Sequence, residues 1–81
     1  MTIRVLAFAR LRELLGRGEL CIDLAPGAAV AQAWSALCAM QPAIAPLAES
    51  TRFGRNGHLV SAAERLADGD ELALLPPVGG G

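Results

Sequence analysis

Few side chains in this 81-residue sequence could carry out a reaction by themselves. The single histidine, His58, stands beside a turn, where we expect a solvated loop residue, and it completes no serine or cysteine triad. Asp68 and Asp70 flank a glycine, which suits a turn better than a metal loop that lacks further ligands. Glycines 79–81 precede no helix and cannot cradle phosphate. The sequence does not predict a self-sufficient enzyme.

The group with chemical promise is the carboxylate of Gly81. Gly79, Gly80 and Gly81 follow Pro76-Pro77-Val78, and residues without a Cβ atom can enter a channel that others would obstruct. The six residues from Pro76 to Gly81 reach roughly 20 Å when extended. A frayed or engineered terminus would carry the same glycines, so the run alone does not decide its role.

Charge and cysteine usage narrow the class of protein. The net charge is -1 with no basic run, so the sequence predicts no nucleic-acid binding. Cys21 and Cys38 are too far apart for a Cys-x-x-Cys motif, and two free buried thiols are favoured over a disulfide. The run after Met1 does not fit a secretory signal, and no stretch reaches the ~20 apolar residues of a membrane span. We therefore expect a cytoplasmic protein that does not bind membranes.

The cationic residues have one unusual feature. All seven are arginine, and the chain contains no lysine. It therefore has no ε-amine for self-linked polymers of the kind that ubiquitin forms. A biased genome composition explains this pattern more simply than selection does.

Apolar periodicity predicts five short strands and one main helix. The strands are expected at residues 3–9, 19–24, 53–55, 58–61 and 71–75, the main helix at 30–40, and a helical turn and a half at 10–15. Asn56-Gly57 is the strongest hairpin signal. Ala28 and Ala29 offer no N-cap side chain, so the first turn of the main helix is expected to fray. Residues 43–51 are expected to form a connection packed by Ile44 and Leu47.

The order of these elements predicts the fold. Because a hairpin precedes the helix and a strand follows it, the first and last strands are expected side by side in the middle of a mixed sheet. The main helix covers one face. This is the α+β β-grasp (ubiquitin-like) arrangement, with residues 1–75 as the domain and residues 76–81 as a flexible tail. The expected core is small: Ile3, Val5, Leu20, Ile22, Trp34, Leu37, Leu72 and Leu74.

Four segments together resemble the small-subunit family of molybdopterin synthase. They are Phe8-Ala9-Arg10-Leu11-Arg12-Glu13-Leu14-Leu15-Gly16, Asn56 with Leu59-Val60-Ser61, Leu66-Ala67-Asp68-Gly69-Asp70-Glu71, and Pro76-Pro77-Val78 before the glycines. The resemblance covers the chain essentially end to end. Arg55 departs from it, since the family usually has a small or apolar residue there, and position 79 is a third glycine.

The resemblance implies a sulfur carrier that holds no cofactor stably. A ubiquitin-activating-like adenylyltransferase would use ATP to adenylate Gly81, and a sulfur donor protein would convert the acyl-adenylate to a thiocarboxylate. The large subunit of the synthase would then transfer that sulfur to cyclic pyranopterin monophosphate, forming the dithiolene of molybdopterin. Gly79 and Gly80 would provide access to its active site. Two small and two large subunits are expected to assemble.

A partner surface is expected on the sheet face opposite the main helix. Phe8 and Leu75 point to that face, and Leu59 can join them, leaving large apolar side chains uncovered. The resemblance agrees, because the family meets its partners through matching positions on the sheet. In the alternative arrangement, residues 43–51 fold over this face.

Other functions remain open. The carrier could serve thiamine, cysteine or tRNA thiolation, since those carriers are also ubiquitin-like and end in Gly-Gly. The chain could also be an interaction module with an inert tail, or a modifier joined to proteins through an amide bond. Leu11-Arg12-Glu13-Leu14 and the Pro76-Pro77-Val78 approach favour molybdopterin.

Overall fold

The computed structural model describes residues 1–77 of the chain. Its strands are β1 (Thr2–Ala7), β2 (Glu19–Asp23), β3 (Arg52–Arg55), β4 (His58–Val60) and β5 (Glu71–Leu75). Two α-helices, α1 (Ala9–Leu15) and α2 (Val30–Met40), and a 3₁₀ helix (Pro42–Ser50) connect them. No helix in this part of the chain has the length and hydrophobicity needed to cross a bilayer.

The five strands form one mixed sheet in the order β2-β1-β5-β3-β4. β1 and β5 are parallel neighbours, and the other pairs are antiparallel. The first and last strands therefore lie side by side inside the sheet, which confirms the β-grasp prediction. Asn56 and Gly57 both have positive φ, at 48° and 88°, as the predicted hairpin turn requires.

The core lies between one face of the sheet and the helices. Strand alternation directs Ile3, Val5 and Ala7 of β1 inward, and Leu72 and Leu74 of β5 beside them. The apolar stripe of α2 covers this face with Val30, Ala33 and Leu37, all fully buried. Trp34 is only partly buried and packs edge-on against Phe53, with 5.9 Å between ring centroids.

The segment after α2 is packed by Ile44 and Leu47 as predicted, and it is also helical. Pro42–Ser50 forms a 3₁₀ helix despite Pro46 inside it. Ile44 is fully buried and joins the core cluster, with Leu47 packed against it. The segment thus lies on the helix side of the sheet, so the alternative in which it folds over the opposite face is wrong. Burial of Ile44 stabilises this helix, which the local sequence, with Pro46 inside it, does not favour.

The prediction that α2 frays at its start is also wrong. The N–H groups of Val30 and Ala31 donate to the carbonyls of Glu64 and Ala62, both at 2.9 Å, and the Gln32 side chain accepts from the Ala29 N–H. Tertiary hydrogen bonds from a distant segment therefore satisfy the N–H groups that a capping side chain would otherwise satisfy.

One of the two cysteines contradicts its predicted burial. Both thiols are free, but Cys21 is exposed because it alternates with the inward-facing Leu20 and Ile22 on the edge strand β2. Cys38 is half-buried on α2, and this burial raises the pKa of its thiol. The two thiols therefore differ in accessibility.

Candidate functional site

Four strands bring small and apolar residues into one row on the sheet face opposite α2. The register places Leu6 of β1 beside Ala73 of β5, Ala73 beside Gly54 of β3, and Gly54 beside Leu59 of β4. Because side chains alternate along each strand, all four belong to the face that the helices do not cover. We call this surface the open face.

A groove of about 280 Å³ runs along the open face. It brings together the three residues that the sequence predicted for docking: Phe8, Leu59 and Leu75. Phe8 is 43% and Leu59 66% exposed, whereas Leu75 is half-buried. The remaining lining residues of this open-face groove are Leu6, Gly54, Gly57, His58, Glu71 and Ala73.

The floor of the groove was not predicted as part of the site. Gly54 is buried there, and a Cβ at this position would lie 3.7 Å from Ala73 Cβ and Leu75 Cδ1. Strand alternation was a sufficient signal for Leu6 and Ala73, which share the face of Phe8 and Leu75. For Gly54 the position follows only from its register with Ala73 and Leu59.

The groove adjoins the point where the chain leaves the sheet. Leu59 and Pro77 line one neighbouring cavity of about 430 Å³, and Phe8 lines a second, of about 250 Å³, together with Pro76 and Pro77. The large exposed side chains of the groove thus flank the root of the predicted tail. Gly79, Gly80 and Gly81 lie outside the described residues, so their predicted roles stay predictions.

A polar cluster borders the groove at the β3–β4 turn. The carboxylate of Asp70, which is 8% exposed, accepts hydrogen bonds from Arg55 Nε at 2.7 Å, Asn56 Nδ2 at 2.9 Å and the Ala67 N–H at 2.7 Å. Burial alone would raise the pKa of Asp70, but these hydrogen bonds together hold it below its usual range. The Asp70 carboxyl group is therefore ionised at neutral pH.

Arg55 has an intramolecular role. Besides Asp70, its guanidinium binds Glu64 Oε2 through Nη1 at 3.0 Å, and the hydrogen bonds to both carboxylates raise its pKa. The residue that departs from the family resemblance thus joins the hairpin to the segment that caps α2.

The remaining candidate groups do not form a reactive centre. His58 is exposed, as expected, and is the first residue of β4, where the sequence predicted a strand to begin. Asp68 accepts the Thr2 N–H at 2.7 Å, which fits the predicted turn role. Within residues 1–77, no three His, Cys, Asp or Glu side chains are grouped as a metal site requires. The exposed apolar side chains of the open-face groove, by contrast, suit contact with a partner.

Comparison with known proteins identifies the family. The ThiS family matches residues 5–81. The chain is 35% identical to the molybdopterin synthase sulfur carrier subunit of Chlamydomonas reinhardtii, with 100% of both chains covered. It is 38% identical to small archaeal modifier protein 1 of Haloferax volcanii, over 91% of this chain and 94% of that protein.

A solved structure agrees with these relatives. The crystal structure of SAMP1 from Haloferax volcanii superposes with a TM-score of 0.87 at 32% identity, and the match covers 100% of both chains. Sequence and fold thus point to the same group of small proteins. The chain belongs to the ThiS family of ubiquitin-like sulfur carriers.

Proposed function

We propose that this protein is the sulfur carrier subunit of a molybdopterin synthase. The observation that carries the proposal is the end-to-end match to a relative of that name, at 35% identity. The open-face groove beside the tail root supports it, because a carrier subunit must dock on its enzymes next to the segment that it delivers.

In the proposed mechanism Gly81 carries the sulfur. Its α-carboxylate, with an ordinary pKa of about 3.3–3.7, is ionised and unreactive at neutral pH. An adenylyltransferase transfers AMP from ATP to this carboxylate and releases pyrophosphate. A sulfur donor protein then supplies sulfur at the sulfide oxidation level, which attacks the acyl carbon, displaces AMP and leaves a thiocarboxylate. The protein itself holds no cofactor stably, and the cycle takes place in the cytoplasm.

The second half of the cycle takes place on a large subunit. The sulfur of Gly81 passes to cyclic pyranopterin monophosphate in the large subunit's active site, and Gly79 and Gly80 allow the tail to enter. Phe8, Leu59 and Leu75 form the docking contacts, and the complete assembly contains two small and two large subunits. Acid–base groups come from the partner.

One alternative has specific support. The 38% identity to small archaeal modifier protein 1 favours a protein modifier, joined through its C-terminal carboxylate to an amine. This chain has no lysine, so its own side chains could not serve as acceptors for further copies. Both functions need an activated C-terminus. They differ in the group that attacks it, which is sulfur from a donor protein in the carrier and an amine in the modifier.

Intact-mass spectrometry tests the proposal. The protein is incubated with ATP, an adenylyltransferase and a sulfur source, and we expect one oxygen-to-sulfur exchange at Gly81. Adding the large subunit and cyclic pyranopterin monophosphate should restore the carboxylate by reaction with water. Each dithiolene should consume two thiocarboxylates, because it contains two sulfur atoms. A control variant with one residue added after Gly81 should do neither, because the carboxyl group of Gly81 is then part of a peptide bond and cannot be adenylated. Sulfur transfer by the untrimmed extended variant would refute the mechanism, and isopeptide products would favour the modifier.

A further inference from the structure

We propose that Asn56 is a positioning residue for partner docking. Its side chain fastens the β3–β4 hairpin to the start of β5 and thereby holds Leu59 at the edge of the open-face groove. This inference rests on the proposed function, because it assigns a role within the same docking surface.

Asn56 makes three hydrogen bonds across the sheet. Its Nδ2 donates to Asp70 Oδ1, the Glu71 N–H donates to its Oδ1, and its own N–H donates to the Glu71 carbonyl, each at 2.9 Å. Both ends of the side-chain amide are therefore occupied. Together these bonds join the hairpin turn to the residues that begin β5.

The turn conformation alone does not explain the residue type. With φ at 48°, position 56 would accept glycine or aspartate as well as asparagine. Glycine has no side chain to bind, and aspartate would lack the donor for Asp70. Of these three residue types, only asparagine offers both a donor to the carboxylate and an acceptor to the Glu71 N–H.

Leu59 depends on this fastening because β4 is weakly held. β4 has three residues and pairs only with β3 among the described strands, so it forms an edge of the sheet. Leu59 pairs with the side-chain-free Gly54 and stays 66% exposed. Asp70 is itself fixed by Arg55 and the Ala67 N–H. The bond from Asn56 to Asp70 thus anchors a short edge strand to a rigid support.

Two substitutions separate the turn from the fastening. Asn56→Gly keeps the positive φ and the backbone bond to Glu71 but loses both side-chain bonds. Asn56→Asp keeps the acceptor for the Glu71 N–H but places a second carboxylate against Asp70. Each lost hydrogen bond shifts the equilibrium between the fastened and the released hairpin by about 2- to 12-fold. Because only the fastened hairpin presents Leu59 to the partner, we expect Asn56→Gly to weaken large-subunit binding about 5- to 10-fold. Asn56→Asp should weaken it further.

A double-mutant cycle with Leu59→Ala shows whether Asn56 acts through Leu59. In the Leu59→Ala background, Asn56→Gly should cost about twofold or less in affinity, because the positioned side chain is gone. Amide hydrogen exchange of β4 in the free protein should be faster in Asn56→Gly, independently of any partner. If Asn56→Gly does not fold, both the double-mutant cycle and the exchange measurement are made with Asn56→Asp.

Two results would overturn this inference. Equal losses of affinity from the Asn56 variants in both backgrounds would show a general structural effect, and unchanged affinity or unchanged β4 exchange would show that the hairpin needs no fastening. Failure of the proposed function is distinguishable, because in that case the unsubstituted protein itself would not bind the large subunit.

Discussion

Substitution of Leu59 is the most direct test of the open-face groove. Full burial of a leucine side chain contributes about 1.5–3 kcal/mol, and Leu59 is 66% exposed in the free protein. A partner that covers the remaining two-thirds would gain about 1–2 kcal/mol, so Leu59→Ala should weaken binding about 5- to 30-fold. Leu59→Glu should weaken it more, because the carboxylate must also be desolvated.

The assay is calorimetric titration with the large subunit of molybdopterin synthase, alongside thermal unfolding of each variant. Leu59 buries little area in the free protein, so its substitution should change the melting temperature little. Met40 is the matched control: it is 60% exposed but lies on α2, on the other side of the sheet. Met40→Glu should leave the affinity unchanged. Equal weakening by both variants, or none from Leu59→Glu, would refute the assignment of the groove.

Three further predictions concern the domain itself. Leu37→Ala empties a fully buried position on α2, and we expect a loss of about 2–5 kcal/mol of unfolding free energy in denaturant titration. The pKa of Asp70 is lowered in the folded state. Ionised Asp70 should therefore stabilise the fold fully above its unfolded-state pKa of about 3.9, and this effect should disappear as pH falls through its folded-state pKa. Asp70→Asn should flatten the acid limb of a stability–pH curve. Cys21 should react with iodoacetamide before Cys38 in peptide mapping, because Cys21 is exposed while burial raises the pKa of Cys38.

Periodicity was sufficient to predict the main elements of the fold. Val30–Met40 has the predicted helix limits, and Glu71–Leu75 the predicted strand limits, because apolar spacing, Pro42 and Pro76 mark them. β1 ends at Ala7, two residues early, since the chain turns at Ala9 with a φ of 52° and enters α1. No local pattern distinguishes such a turn from two more strand residues.

The hydrogen bonds at the start of α2 and the helix at Pro42–Ser50, which the sequence did not predict, share a physical cause: contacts between residues far apart in sequence. The N-cap residue of α2, Ala29, has no capping side chain, yet the carbonyls of Glu64 and Ala62 accept from the first turn of α2 from about thirty residues away. The Pro42–Ser50 helix forms because Ile44 reaches the core. The bond between Asn56 and Asp70 likewise depends on strand register, so alternation could indicate Leu59 as a site residue but not the group that positions it.

The position of the groove suggests why a carrier needs a folded domain at all. A glycine tail alone would bind an enzyme channel weakly, because it has no side chains to bury and must lose much conformational freedom. Phe8 and Leu59 both line cavities that also include Pro77, so docking through the groove brings the tail root to the partner at the same time. Tail entry then becomes an intramolecular step at high effective concentration. Under the proposed function, the side chains of the sheet therefore supply affinity and Gly81 supplies the chemistry.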